Sequence, residues 1–201
     1  MLEEKLKVGS VVQLTKPGWT GGVLAAGSMH AQTQTMLTFG HAVGAGKLVG
    51  VNPSFRWLTY YKGSITTMAF DGLDIVTGDM SGCWLVAYSV GGTARLAHVG
   101  TDYMSAPNST LVKRTWDFTA QQADHTMLAG FQPNAAWDGH FPAAIKDWSV
   151  QGKVWGLVTA QLKLFSIYVF PGVTSMTTFR VAGIQEVASA SKHKLSHLMG
   201  A

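Results

Sequence analysis

One cysteine and one histidine carry the chemistry that this chain's residue types allow. Cys83 is the only cysteine among 201 residues. It stands just before a β-prone run, Trp84 to Val90, and a second run, Thr93 to Val99, holds His98. Gly91-Gly92 between them is a hairpin signal, because glycine accepts the positive φ that tight turns demand. With a two-residue loop, Val90 faces Thr93 and His98 faces Leu85. Side chains alternate along a strand, so Cys83, Leu85 and Ala87 share a face with His98, Leu96 and Ala94. Cys83 and His98 become diagonal neighbours, with Cα atoms about 7–8 Å apart. A three-residue loop would flip that parity. A thiol beside an imidazole can act as nucleophile and base, since the ring takes the thiol's proton and stabilises the thiolate. Gly82, lacking a Cβ, lets a substrate carbonyl approach the sulfur, and the main-chain N–H groups of the Gly82–Cys83 turn are candidate oxyanion donors. The plain alternatives are a buried core cysteine, one of the most buried residue types, and a strand histidine satisfied by a carbonyl.

Ser81-Gly82-Cys83 with a histidine fifteen residues on resembles the cysteine glutamine deamidases: the cytotoxic necrotising factor toxins, the Burkholderia lethal factor and the chemoreceptor deamidase CheD. His98-Val99-Gly100 looks like the His-Thr-Gly of the necrotising factors. Thr77 lies six residues before Cys83, where the lethal factor and CheD place a catalytic threonine. Asn52 stands about where the necrotising factors carry an asparagine near the site. The resemblance covers about thirty residues of this sequence. It implies a protein-glutamine deamidase with Cys83 as nucleophile, His98 as base and Thr77 orienting His98. In the necrotising factors a backbone carbonyl takes that third role, and this sequence is compatible with either. An ordinary strand threonine is the bland reading of Thr77. The resemblance also implies no cofactor, a transglutaminase side activity where an amine replaces water, and a protein partner such as a host GTPase or translation factor. It implies a bacterial effector that is secreted and acts in host cytoplasm.

Two other readings compete. Gly78-Asp79-Met80-Ser81-Gly82 resembles the Gly-Asp-Ser-Gly of serine proteases, and Leu37 to His41 their histidine motif. Met80 interrupts the first, and the forty residues from His41 to Ser81 are too few for the first of two barrels. The non-enzymatic reading is a β-sandwich binding module with Cys83 in its core. Asp74 and Asp79 read as turn or rim residues, and His30, His41, His125 and His140 show no metal-ligand spacing. Seven tryptophans read as packing.

Composition sets the frame. A chain of this length is expected to form one domain, residues 1–201, with a sizeable core. Apolar residues make up 47 % and charged residues only 13 %, so Gly, Ser, Thr and Gln supply the polarity, which suits strands and loops. The +4 net charge and pI near 9.2 arise from scattered charges and do not imply nucleic acid. One cysteine excludes an intramolecular disulfide and a cysteine-cluster metal site. The N-terminus reads as no secretory signal, and no run approaches the roughly 18–20 apolar residues of a membrane span.

The elements that must position these residues follow from pattern. Strands are expected at Val8–Leu14, Thr35–Phe39, Lys47–Val51, Leu73–Thr77, Thr110–Thr115, Lys153–Ala160, Leu162–Phe170 and Val173–Val181. Phe55–Tyr61 and Ser64–Phe70 read as a hairpin around Lys62-Gly63. Trp19–Ser28, His41–Gly46 and Phe131–Trp148 read as loops. Thr119 to Leu128 reads as a short helix ended by Gly130. From Ile184 to Met199, apolar residues at helical spacing predict a C-terminal helix. The expected fold is α/β: a β-rich sandwich of mixed sheets with flanking helices and a C-terminal helix on a sheet.

Overall fold

The fold is taken from a computed structural model, and the described residues are 2–14, 43–48, 51–102, 104–137, 152–171 and 178–200. Eleven strands dominate them: β1 Val11–Leu14, β2 Val43–Leu48, β3 Val51–Thr59, β4 Ile65–Ala69, β5 Ile75–Gly78, β6 Trp84–Val90, β7 Thr93–Val99, β8 His125–Phe131, β9 Lys153–Val158, β10 Leu164–Pro171 and β11 Thr178–Glu186. Two helices accompany them, α1 Ala106–Ala120 and the one-turn α2 Lys192–Leu195, with 3-10 turns at Pro133–Trp137 and Leu198–Gly200.

Seven strands close into a barrel in the order β1-β11-β10-β9-β5-β3-β2, and β4-β7-β6-β8 form a separate sheet. The barrel is mixed, because β3 and β5 run parallel, whereas every pair in the four-stranded sheet is antiparallel. The protein is therefore β-rich, built of two sheets with few helices. No helix among the described residues is long and apolar enough to cross a membrane.

Alternation along the strands sorts apolar side chains into three layers. Phe55, Trp57, Val76, Trp155, Leu157, Ile167 and Phe179 fill the barrel, where Trp57 and Trp155 meet edge to face at 5.0 Å. Leu58, Ile75, Val154 and Val158 point outward from the barrel and meet Met68, Cys83, Leu85, Ala87, Leu96 and Phe131 of the sheet. The other face of the sheet, with Trp84, Val86, Tyr88, Ala97 and Val99, packs on Val112 and Trp116 of α1 and on Leu195 and Leu198. Gly156 of β9 sets how closely barrel and sheet approach. A Cβ there would lie 2.2 Å from Leu85 Cδ1 and 2.9 Å from Pro133 Cγ, so only a residue without a side chain admits Leu85 against β9.

The β6–β7 hairpin has the expected boundaries and register, with Val90 opposite Thr93 and Leu85 opposite His98. Gly91 and Gly92 take φ of 53° and 83°, the conformation of a two-residue turn that matches strand twist. Several other expectations are corrected. Phe55–Tyr61 and Ser64–Phe70 do not form a hairpin; β3 joins the barrel and β4 the sheet. Thr110–Thr115 lies within α1. Ser105 caps this helix by accepting from Asn108 N, and Pro107 sits in its first turn, where a missing N–H costs nothing. The expected helix Thr119–Leu128 is instead the end of α1 followed by β8, which pairs with β6.

The expected C-terminal helix from Ile184 is absent. Residues up to Glu186 pair with β10 to close the barrel, and Val187 N and Ala190 N donate to Leu164 O and Gly130 O. Ladder bonds to a waiting strand edge overrode a helical spacing. Only α2 remains, capped by Ser191. The expected loop His41–Gly46 overlaps β2. Trp19–Ser28, Thr35–Phe39, His30, His41 and His140 lie outside the described residues, as do Trp148 and the first residues of the strand expected at Val173.

Candidate functional site

The site lies where sheet meets barrel. Thr77 is on β5, between Leu58 of β3 and Gly156 of β9. Its neighbours Val76 and Ile75 face the barrel interior and the sheet, respectively, so alternation turns Thr77 toward the sheet. His98 of β7 lies between Leu85 of β6 and Thr66 of β4. Across the layers, Thr77 Oγ1 and His98 Nδ1 are 2.7 Å apart. This hydrogen bond joins two sheets that share no strand pairing. Tyr60, just after β3, stacks on the His98 ring with centroids 4.9 Å apart, and its hydroxyl donates to Thr101 O at 3.0 Å. The imidazole is held by a bond at one nitrogen and a flat ring against its face. His98 Nε2 is buried and has no hydrogen-bond partner.

Cys83 follows a turn in which Ser81 is exposed and Gly82 half-buried. Gly82 has φ of 133°, a conformation a side chain would strain. The sulfur sits among the same interlayer side chains as Leu85, Ala87 and Leu96, on the face of the sheet that also presents His98 to Thr77. Thiol and imidazole thus point the same way, as the hairpin register requires. Cys83 and His98 are both 0 % exposed, and the unpartnered Nε2 shows that the two are not hydrogen-bonded in this conformation.

Burial decides their charge. Loss of solvent lowers His98 to about 3, so the ring is neutral at physiological pH. Burial likewise pushes the Cys83 thiol up. The Thr101 hydroxyl opposes that shift, followed by backbone hydrogen bonds from Ser81, Thr101 and Cys83. Both groups are neutral at rest, so the site holds no stored thiolate–imidazolium ion pair.

Thr101, Tyr60 and Gln132 surround the pair and were not singled out from the sequence. Thr101 Oγ1 donates to Cys83 Sγ at 3.8 Å, and Gln132 Nε2 donates to Gly82 O at 2.9 Å. Thr101 stands three residues after His98, past the end of β7, where strand alternation no longer assigns its face. Gln132 has no local signal, because β8 brings it from fifty residues away.

Asn52 is not brought to this group. It lies in β3 six residues from Leu58, the partner of Thr77, about 20 Å along a strand. Asp74 accepts from Leu2 N and Ala160 N, a tie for chain segments. Asp79 pairs with Lys153 at 2.5 Å beside a cleft of ≈ 380 Å³ lined by Met80, Asn134, Lys153 and Tyr168. Met80 also packs among the side chains around Cys83.

No protein-family model matches the chain, and no curated protein matches it. The chemistry of the site therefore rests on its own geometry.

Proposed function

We propose that the protein is a protein-glutamine deamidase, with Cys83 as nucleophile, His98 as general base and acid, and Thr77 as the group that orients the ring. The observation that carries this reading is the 2.7 Å contact between Thr77 and Nδ1, which leaves Nε2 unpartnered on the face that carries the thiol. A nitrogen buried without a partner costs stability. An acceptor left bare is more readily tolerated than a bare N–H, which favours the tautomer with Nδ1–H donating to Thr77 and a lone pair at Nε2. That is the form a base requires.

The reaction then runs as follows. The thiol proton passes to Nε2 while Sγ attacks the side-chain amide carbon, and the C=O electron pair moves onto oxygen. Main-chain N–H groups at Gly82–Cys83, beside Ser81, receive that charge. The C–N bond breaks, and the leaving nitrogen takes the proton from Nε2 to depart as ammonia. Water gives one proton to Nε2 and its oxygen to the thioester carbon. Sulfur leaves and recovers the proton, and the product is glutamate. Amine in place of water gives transglutamination. The Ser81-Gly82 edge, exposed at Ser81, is the approach to the sulfur, and it opens before chemistry because Cys83 is fully buried. A glutamine turned into glutamate gains a negative charge where an amide stood, which switches a target protein. As in the toxins this stretch resembles, the target class is a host GTPase or translation factor met in host cytoplasm.

A second reading, the non-catalytic β-sandwich module with a core cysteine, is favoured by the complete burial of both groups. Host lysate treated with wild type and with Cys83→Ser separates the two. The deamidase reading expects glutamines converted to glutamates, found by mass spectrometry, only with the wild type. Conversion by a folded Cys83→Ser variant, or by neither protein, overturns it.

A further inference from the structure

Around Gly82 two polar side chains converge that the proposed triad does not use. A Cβ built on Gly82 would lie 3.3 Å from Thr101 Oγ1 and 4.0 Å from Gln132 Nε2, with no other atom within 4 Å beyond its neighbours in the chain. The space that a side chain would take is thus lined by a hydroxyl and a carboxamide, at the residue preceding the nucleophile. Thr101 Oγ1 also donates to Cys83 Sγ at 3.8 Å, and Gln132 Nε2 to Gly82 O at 2.9 Å. The first contact is with the reacting atom. The second acts through the peptide. The Gly82–Cys83 amide is planar, and in a trans amide C=O and N–H point opposite ways, so fixing the carbonyl aims the Cys83 N–H.

The backbone that carries both side chains is anchored. Thr101 is bounded by Tyr60, which donates to its carbonyl, and by Asp102. That residue pairs with Lys62 at 2.9 Å and accepts from Met104 N and Asn108 Nδ2. Gln132 leads from β8 into the Pro133–Trp137 turn, which Ser166 ties to β10 by donating to Pro133 O.

We propose that Thr101 is a further catalytic residue and Gln132 a positioning residue: the Thr101 hydroxyl and the Cys83 N–H aimed by Gln132 form the site that binds the carboxamide oxygen as it becomes anionic. The inference rests on the deamidase reading. As the Sγ–C bond forms, the C=O π pair moves to oxygen, and the thiol proton goes to His98 Nε2. That oxygen sits two bonds from sulfur. A hydroxyl 3.8 Å from Sγ is within hydrogen-bond range of positions it can occupy. The hydroxyl shifts from sulfur to oxygen as charge develops, which stabilises the transition state over the ground state.

The test uses the full chain with Thr101→Val, Thr101→Ser and Gln132→Met. Ammonia release is measured from casein and a benzyloxycarbonyl-glutaminyl-glycine probe, and the Cys83 alkylation rate by iodoacetamide is followed against pH. Titratable groups around the sulfur are His98 from β7, Tyr60 after β3 and the Asp102–Lys62 pair beyond Thr101. None is altered in these variants. Thr101→Val is expected to lower kcat about 100-fold at unchanged KM and to move the alkylation inflection up by about one pH unit. Thr101→Ser recovers most of both. Gln132→Met lowers kcat without moving KM. Active wild type with equal losses in Thr101→Val and Thr101→Ser, or with no alkylation shift in Thr101→Val, overturns this inference alone. Wild type that releases no ammonia from either probe or from host lysate overturns the deamidase reading, and the inference with it.

Discussion

Acid should weaken this fold through His98 before the lowered carboxylates of Asp71 and Asp102 contribute. The ring is 0 % exposed, and its ionisation falls from 6.5 to about 3 because burial strips its solvent. Between those values the unfolded chain binds a proton that the folded protein refuses. Stability therefore rises with pH across this window and is lost as pH falls through it. At about pH 4.5 the folded ring is still neutral, so the loss depends only on the unfolded value. It amounts to about two pH units, or about 3 kcal/mol, relative to pH 8. The lowered acids Asp71 and Asp102 lose their contributions only below about pH 4, as pH falls through their folded values. The assay is urea unfolding from pH 8 to pH 4.5 for wild type and His98→Asn, whose amide can still meet Thr77. The variant should lack about 3 kcal/mol of the wild-type acid loss. The imidazole resonances of His98 should show no protonation above about pH 4. Equal acid losses in both proteins, or a His98 that titrates near 6.5, would refute the assignment of a sealed neutral ring.

Further outcomes follow from the same interlayer contacts. Thr77→Val removes the 2.7 Å partner of Nδ1 and should cost about 1–3 kcal/mol in urea unfolding, since the nitrogen stays buried; it should also lower deamidation more than Thr77→Ser does. Gly156→Ala drives a Cβ to 2.2 Å from Leu85 Cδ1 and should destabilise by about 1–3 kcal/mol. Leu85→Ala in the same chain should recover part of that loss, and a double-mutant cycle with no coupling would refute the contact. Under native conditions Cys83 should alkylate more slowly than the unfolded thiol, because burial disfavours its thiolate; full reactivity at pH 7 would contradict its burial.

The elements legible in advance were those whose signal is local. The β6–β7 hairpin is one, because Gly91-Gly92 tolerates the turn and alternation fixes the faces. The strands β9 and β10 are others, continuous apolar runs bounded by Gly152 and the Thr159–Lys163 turn. Thr110–Thr115 reads as a strand because the β-branched Thr110, Val112 and Thr115 favour β locally, while the Ser105 cap and Pro107 start a helix that buries Trp116 on the sheet. Ile184 to Glu186 joins β11 instead of a helix because helical spacing says nothing about a β10 edge that needs a partner.

By itself the sequence determined that Cys83 and His98 would share a face, since strand periodicity and a two-glycine turn leave one parity. Tertiary structure alone decided what stands opposite that face. The barrel brings Thr77 to Nδ1, the turn after β8 brings Gln132 to Gly82, and Gly156 lets the layers close until Cys83 and His98 lose their water. Those partners lie twenty to seventy residues away, and their distances and the dielectric they impose exist only once the layers are packed.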